Sequence, residues 1–160
     1  MTHPPLMLAG TTPLYDLCDK SYVIGLAGMD IDGDGSGGNA ENDPDFQPTT
    51  TLVHADGTYV NSRTERGFVV PRKFALAVPG IVIGCRGEIF DTFLKRISPA
   101  VVHDIGPDDK AGEATICAAE FFEVPSNPTT GGTQIPRFLY RFWPGQAATV
   151  NGITYPLIKL

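Results

Sequence analysis

Two carboxylates in the second half of the chain, Asp104 and Glu113, have the surroundings of an acid/base pair. Asp104 follows the apolar run 100–103, a predicted buried strand, where partial desolvation is expected to raise its pKa. Glu113 follows Gly112 at the start of a helix predicted over 112–122, where the positive end of the helix dipole favours the anion. Carboxylates with different proton affinities supply the general acid and base that glycoside hydrolysis requires. The alternative is a turn residue and an ordinary first-turn helix residue.

An acidic segment at 30–45 carries all of the excess negative charge. The chain has 18 acidic and 12 basic residues, a net charge of -6, and this segment contains neither Lys nor Arg. Such a field attracts cations or a cationic polymer and repels nucleic acid and anionic lipid, so neither a nucleic-acid nor a membrane partner is expected. The alternative is a solvated loop without a ligand. The six acids of the segment are Asp30, Asp32, Asp34, Glu41, Asp43 and Asp45.

Part of the acidic segment matches the calcium-loop pattern of EF-hands. Asp30, Asp32, Asp34 and Glu41 occupy the ligand positions of D-x-D-x-D-G-x5-E. An apolar, strand-like run precedes the pattern where an EF-hand has a helix, so an EF-hand is not expected. The alternatives are a calcium site of another type at these four residues, a shelf of three aspartates that binds amino groups of a substrate, and a plain acidic loop. The predicted chemistry itself requires no cofactor.

An aromatic run at 138–143, FLYRFW, is predicted to form a strand that ends at Trp143. Because sugar rings stack on aromatic faces, Trp143 is a candidate substrate-binding platform, although aromatic rings on a strand more often pack in a core. The three histidines, His3, His54 and His103, do not have the spacing of a metal site. No metal site is therefore predicted from them.

The composition predicts a mostly β protein with a single core. The 160 residues include 18 Gly and 14 Pro, which favour short strands joined by turns. We expect an N-terminal arm over 1–20 and one catalytic domain over 21–160, a small barrel with one core helix at 112–122. The three cysteines show no C-x-x-C spacing and indicate no disulfide framework. Strands are predicted at 21–26, 68–70, 74–78, 81–85, 100–103 and 138–143, with a loop over 29–48 and a hairpin turn at Asn151–Gly152.

Several blocks occur in an order that resembles glycoside hydrolase family 75, a family of endo-chitosanases. They are MDIDGDG at 29–35, DPDFQPTT at 43–50, DIGP at 104–107, GEAT at 112–115 and the pair Gly131–Gly132. The resemblance runs from about residue 22 to residue 143, and the DIGP and GEAT blocks are its most specific part. Gly33 departs from the pattern, since members of this family usually have Cys there.

The resemblance implies inverting endo-hydrolysis of β-1,4-linked glucosamine polymers such as chitosan. It implies that Asp104 and Glu113 are the essential carboxylates, for which we expect Asp104 to be the general acid and Glu113 the general base. The DIGP turn also looks like that of double-psi β-barrel enzymes that cleave glycans, which favours that barrel type. The implied protein is a monomer that acts outside the producing cell, although no signal peptide is visible in the sequence.

Two other functions remain open. One is a peptidoglycan hydrolase, including one delivered as an antibacterial toxin, but acetylated cell-wall glycan lacks the row of ammonium groups that would explain the acidic segment. The other is a non-catalytic module that binds carbohydrate or calcium. Substitution of Asp104 distinguishes this module from an enzyme, because only an enzyme loses polymer cleavage while it remains folded.

Overall fold

The computed structural model describes residues 4–8, 11–39, 41 and 43–160 of the chain. Strands dominate, and the described residues contain two short helices. In chain order the elements are β1 (Leu6–Leu8), β2 (Thr12–Asp16), β3 (Tyr22–Asp32), β4 (Gly67–Pro71), α1 (Arg72–Ala77), β5 (Cys85–Asp91), β6 (Arg96–Gly106), β7 (Glu113–Thr115), α2 (Ile116–Phe121), β8 (Thr133–Ala147), β9 (Thr149–Val150) and β10 (Ile153–Thr154). No helix of this described part is long and apolar enough to cross a bilayer.

Six strands close a barrel in the order β3-β7-β4-β6-β5-β8, with β8 paired back onto β3. The pairs β3–β7 and β4–β6 are parallel, and the other pairs around the ring are antiparallel. Parallel neighbours cannot be joined by a tight hairpin, so the chain needs long crossover connections at these places. The acidic segment starts in the last residues of β3 and continues into the long connection that leaves this strand. The prediction of a mostly β protein built as a small barrel is confirmed.

The interior of the barrel is filled by large aromatic side chains. Phe68 of β4 and Phe138, Tyr140 and Phe142 of β8 are all fully buried. The hydroxyl of Tyr140 donates a hydrogen bond to the carbonyl oxygen of Gly28 at 2.7 Å, which satisfies its polar end inside the core. The aromatic run predicted as a strand therefore lies within β8 and supplies much of the core.

The helix predicted over 112–122 is shorter and begins later than expected. Residues 113–115 form β7, and α2 starts only at Ile116, with the Thr115 side chain accepting a hydrogen bond from the Ala118 amide at 3.3 Å. Thr115 is thus the N-cap, which is a role that threonine hydroxyls commonly fill. The premise that Glu113 lies at a helix N-terminus is wrong, because Glu113 is a strand residue.

A second correction concerns the apolar run 74–78, which was predicted to be a strand. It lies mostly within α1, which buries Phe74 and Ala75. Val78, four positions after Phe74, is also buried, and that is the spacing of a helix face. Periodicity in so short an apolar run does not separate a strand from a helix, so two helices are present where one was expected.

The boundaries of two other predicted segments also differ. Strand β3 continues to Asp32, so the loop predicted over 29–48 begins later. The expected arm over 1–20 contains β1 and β2, a hairpin that pairs with β3, and residues 1–3, 9 and 10 lie outside the described part. The hairpin turn at Asn151–Gly152 is confirmed, with φ values of 50° and 80° between β9 and β10. All three cysteines are free.

Candidate active site

An acidic cavity of about 390 Å³ opens where β3 ends beside β7. Six of its lining residues are acids, and one lysine and one glutamine face them. The charge of the sequence is therefore concentrated on one concave surface. The polar lining comprises Asp30, Asp32, Asp34, Asp43, Asp45, Glu113, Lys110, Gln134 and Thr129, and the remainder is Ile31, Gly33, Pro128 and Gly131.

A larger hollow of about 560 Å³ lies on another surface and has a different character. Apolar side chains such as Tyr15, Leu17 and Ile97 line most of it, with Glu88 and Arg141 as its charged residues. Arg141 is already paired with Asp19 at 2.6 Å. This hollow lacks the convergent titratable groups that chemistry requires, so the acidic cavity is the candidate active site.

Asp30 and Glu113 are direct neighbours in the parallel ladder between β3 and β7. Although Glu113 is its ladder neighbour, the two carboxylate oxygens of Asp30 are bound by other residues. The Lys110 ammonium lies 2.7 Å from Oδ2, and the Gln134 side-chain amide donates to Oδ1 at 2.7 Å. The ammonium group of Lys110 therefore lies in the cavity beside the carboxyl groups of Asp30 and Glu113.

Asp32 is buried at the base of the cavity and is bound to His103. The distance between His103 Nε2 and Asp32 Oδ2 is 2.7 Å, and the Asp34 amide donates to Asp32 Oδ1 at 2.9 Å. Burial opposes the ionised form of Asp32, but the hydrogen bond and charge of His103 outweigh it and lower the pKa of Asp32. The structure therefore keeps Asp32 as a fixed anion.

His103 is fully enclosed by the barrel. It is the extra residue of a bulge in β6, because Phe68 pairs with Val102 while the next residue, Val69, pairs with Asp104. The ring packs on Gly67, where a Cβ atom would lie 2.6 Å from His103 Nδ1. Burial disfavours the imidazolium, but the hydrogen bond that His103 donates to Asp32 and the charges of the surrounding carboxylates outweigh that effect and raise the pKa of His103.

The pKa of Glu113 is raised to about 7. Burial is the largest cause, the charge of Lys110 opposes it, and the charge of Asp32 adds to it. The side chain remains partly exposed to the cavity. A carboxyl that holds its proton near neutral pH can donate it to a leaving group, so Glu113 has the property of a general acid rather than the predicted general base.

Asp34 is a second carboxyl with elevated proton affinity. Its pKa is raised to about 6, mainly by burial, while the amide of Gln47 lowers it and the charges of Asp32, Asp104 and Asp43 raise it further. The Gln47 amide donates to Asp34 Oδ1 at 2.7 Å. A cation that binds beside Asp34 would relieve the mutual repulsion of these carboxylates, so the cavity favours a positively charged ligand.

Asp104 lies beside the cavity rather than among its lining residues. Thr51 Oγ1 donates to Asp104 Oδ1 in a very short contact, and the Ile105 amide donates to the same oxygen at 2.9 Å. No described residue donates to Oδ2, and the side chain is partly exposed. Asp104 therefore keeps one carboxylate oxygen for a water molecule or a substrate.

The barrel register sets the separation between Asp104 and Glu113. Asp104 pairs with Val69 on one side of β4, and Ala114 pairs with Phe68 on the other. One further step along this antiparallel contact places Glu113 beside Val69, so the two acids flank the same residue of β4. Two strand spacings separate their Cα atoms by about 10 Å.

The cavity brings together most of the predicted site residues, but Trp143 is a correction. Asp30, Asp32, Asp34 and Glu113 line the cavity, with Asp104 adjacent. Trp143 is only 7% exposed and does not line it. The guanidinium groups of Arg86 and Arg141 lie over its ring, 4.0 and 4.4 Å from the ring centre. The buried ring is therefore already engaged by two cations of the protein.

The residues of the EF-hand pattern do not form such a loop. Asp30 and Asp32 belong to β3, and each is engaged by the partners described above. Glu41 is exposed and does not line the cavity. Within the described part of the chain, no group of three or more His, Cys, Asp or Glu side chains is arranged to hold a metal ion. Calcium binding at Asp30, Asp32, Asp34 and Glu41 stays a prediction without support from this arrangement.

Three residues of the site were not predicted from the sequence: His103, Lys110 and Gln134. Simple strand alternation would place His103 on the face opposite Asp104, and the bulge in β6 interrupts that alternation. Lys110 had one available signal, because it is the basic residue in the short loop between the two candidate catalytic acids. Gln134 comes from the start of β8, far away in sequence, and gave no local signal.

Comparison with known proteins leaves the family open. No protein-family model matches the chain, and no curated protein matches it. Among solved structures, the chain is similar to the Streptomyces papain inhibitor, with 15% identity and a TM-score of 0.39. The match covers 72% of this chain and 91% of that one. That neighbour is a small β-barrel, and a likeness at this level carries no information about function.

Proposed function

We propose that this protein is an endo-acting glycoside hydrolase that cleaves β-1,4 linkages of chitosan, a polycationic glucosamine polymer, by inversion. One observation carries the proposal. A cavity lined by six acids contains Glu113, whose pKa is raised to about 7, and a second partly exposed carboxylate, Asp104, lies across β4 from it. Glycosidic cleavage requires a pair of carboxyls, one of which can hold a proton near neutral pH, and Glu113 has that property.

In this mechanism Glu113 is the general acid and Asp104 the general base. Glu113 donates its proton to the glycosidic oxygen as the bond to the anomeric carbon breaks. Asp104 Oδ2 removes a proton from the water that attacks this carbon from the opposite face. Two strand spacings of about 10 Å separate the two Cα atoms, and the mechanism requires carboxyls that are about 6.5–9.5 Å apart, as is typical of inverting enzymes. Retaining enzymes, by contrast, bring the two groups to about 5 Å.

The choice of substrate rests on charge. Asp30, Asp34, Asp43 and Asp45 all line the cavity and are accessible in different degrees, whereas Asp32 is committed to His103. Such a surface attracts a polymer that carries an ammonium group on each sugar and offers nothing comparable to a neutral acetylated glycan. The resemblance of the sequence blocks to glycoside hydrolase family 75 supports the same substrate. A polymer of this kind is met outside the producing cell, where we propose that the protein acts.

The proposal is tested by reducing-end release from soluble, highly deacetylated chitosan. Glu113→Gln and Asp104→Asn are each expected to lower the rate by about a thousandfold, because each removes one half of the acid/base pair. Glu123→Gln is the matched control, since Glu123 is exposed and paired with Arg96 at 3.1 Å, away from the cavity. Circular dichroism of each variant establishes that it is folded.

Each outcome of this assay separates the competing functions. Cleavage by the wild type that is lost in both site variants and kept in the control supports the proposal. Absence of chitosan cleavage together with release of fragments from bacterial cell walls would favour a peptidoglycan hydrolase. Tight binding of chitosan without cleavage, unchanged in Asp104→Asn, would favour a non-catalytic module.

A further inference from the structure

The side chain of Lys110 extends from the loop between β6 and β7 into the acidic cavity. Its ammonium is 2.7 Å from Asp30 Oδ2, while Gln134 occupies the other oxygen of the same carboxylate. Glu113 is the ladder neighbour of Asp30, and its carboxyl acts on Lys110 when it is ionised. The chain therefore places a primary ammonium of its own beside the group to which we assigned proton donation.

A lysine ammonium and a protonated glucosamine amine are chemically alike. Both are primary ammonium groups with one positive charge and three N–H donors, carried on a tetrahedral carbon. A carboxylate that holds one of them at 2.7 Å offers the same interaction to the other. Two ammonium groups at the same carboxylate oxygen repel each other, so an amino group of the substrate competes with Lys110 for this oxygen.

Displacement of Lys110 requires little reorganisation. The side chain of Lys110 is 43% exposed and that of Asp30 is 32% exposed. Ion pairs with that much access to solvent contribute at most about 1 kcal/mol, so an incoming cation competes with the lysine on nearly equal terms. The lysine side chain is flexible and lies at the surface of a loop, where it can turn toward solvent without moving a strand.

We propose that Lys110 is a specificity-determining residue that competes with the amino groups of the substrate for Asp30, an inference that rests on the proposed function. A ligand with one amino group gains little when it replaces one ammonium by another. A polymer with many amino groups also reaches Asp34, Asp43 and Asp45, which have no lysine partner in the described structure. Lys110 therefore lowers the relative affinity for single amines more than that for ligands with many amino groups.

The test is calorimetric binding of a glucosamine hexamer to Glu113→Gln protein, which binds without cleaving. Lys110→Met keeps the aliphatic part of the side chain and removes the competitor, so binding is expected to tighten about fivefold, the factor that corresponds to about 1 kcal/mol. Lys159→Met removes one charge outside the cavity and is the control for net charge, with an expected change of less than about 1.5-fold.

Asp30 completes a thermodynamic cycle. In an Asp30→Asn background the gain from Lys110→Met is expected to disappear, because the contested carboxylate is gone. A fully acetylated hexamer is expected to show no gain in either background. Equal tightening for both hexamers, unchanged binding or weaker binding in Lys110→Met would each overturn the inference.

The same measurements separate this inference from the proposed hydrolysis. A gain in binding by Lys110→Met without chitosan cleavage by the wild type would support the competitor and reject the enzyme. Cleavage by the wild type without any gain in binding would support the enzyme and reject the competitor. Absence of both binding and cleavage would reject the two together.

Discussion

Two histidine–carboxylate pairs stand in different parts of this barrel, and their surroundings differ. His103 and Asp32 meet at 2.7 Å under the acidic cavity, and His54 and Glu65 meet at 3.0 Å in the region near the C-terminal hairpin. Glu65 also accepts hydrogen bonds from the Asn61 amide at 2.9 Å and from the Tyr155 hydroxyl at 2.7 Å. We call His54, Glu65, Asn61 and Tyr155 the latch.

The latch surrounds one carboxylate with three donors, whereas the cavity collects carboxylates that repel one another. Glu65 is 7% exposed and fully hydrogen-bonded, an arrangement that contributes to stability. In the cavity, the pKa values of Glu113 and Asp34 are raised to about 7 and about 6, and His103 Nδ1 has no described partner. A histidine–carboxylate pair therefore contributes to stability in one place and lies under the candidate active site in the other.

The largest expected effect is on the latch. Glu65→Ala is expected to lower the free energy of unfolding by about 3 kcal/mol, because three buried donors lose their acceptor. Urea denaturation at pH 7 measures this change. Chitosan cleavage per folded molecule is expected to stay within about twofold of the wild type. A loss of stability below 1 kcal/mol, or a selective loss of cleavage, would break the distinction between latch and cavity.

Glu113→Gln in the cavity is expected to raise the free energy of unfolding, whereas Glu65→Ala is expected to lower it. The ordinary pKa of this glutamate, 4.5, rises to about 7 on folding, so the folded state disfavours its ionised form. The resulting penalty is absent below pH 4.5 and complete above pH 7. Glu113→Gln is therefore expected to raise the free energy of unfolding at pH 8 by roughly 2 kcal/mol, discounted for partial exposure, and to leave it unchanged at pH 4.

Urea titrations at both pH values check this prediction, with Glu123→Gln as the exposed control. Stabilisation of equal size at pH 4 and pH 8 would show that burial of the carboxyl is not its cause. Destabilisation at pH 8 would mean that the Glu113 carboxylate, like that of Glu65, stabilises the fold. Either result would remove the contrast between the two regions.

The pH dependence of cleavage is expected to reflect the raised pKa values of Glu113 and Asp34. Glu113 must hold its proton to act as an acid, so kcat/KM for chitosan is expected to fall tenfold per pH unit above about pH 7. Binding of cations requires ionised Asp34, so the rising limb is expected near pH 6. Initial rates between pH 4 and pH 9 measure both limbs. A rate that stays constant from pH 6 to pH 9 would exclude Glu113 as the acid.

The smallest effect on stability is expected for removal of the Tyr155 hydroxyl from the latch. Tyr155→Phe removes one hydrogen bond to Glu65 and keeps the buried ring that packs 5.4 Å from His54. The expected loss is about 1 kcal/mol, smaller than for Glu65→Ala because two donors still reach the carboxylate. The midpoint of urea denaturation measures it. A loss as large as that of Glu65→Ala would mean that the tyrosine, rather than the carboxylate, holds the latch together.

Much of the barrel was predictable from sequence patterns, and the exceptions have definite causes. Apolar strands at β4 and β6, the aromatic strand β8 and the turn at Asn151–Gly152 follow local rules of alternation and turn chemistry. The helix α1 was missed because a short apolar run fits either period. The start of α2 was misplaced because Thr115, rather than Gly112, is its N-cap.

The candidate site was partly predictable for a similar reason. Four acids could be recognised in the sequence because they lie close to strand ends, and the barrel brings them together in one cavity. They are Asp30, Asp32, Asp34 and Glu113. The position of His103 depends on a one-residue bulge, and that of Trp143 on two arginines from neighbouring strand positions. Register of this kind is a property of strand pairing and is invisible in the sequence of a single strand.

The central claim, inverting hydrolysis by Glu113 and Asp104, is tested most directly by proton NMR of the first products. Wild-type protein is mixed with glucosamine hexamer, and the anomeric signals of the new reducing ends are followed before mutarotation. The account predicts that the α-anomer appears first, because in inverting cleavage of a β-1,4 linkage the water attacks the anomeric carbon from the face opposite the leaving group. Initial appearance of the β-anomer, or of no new reducing end, would contradict it.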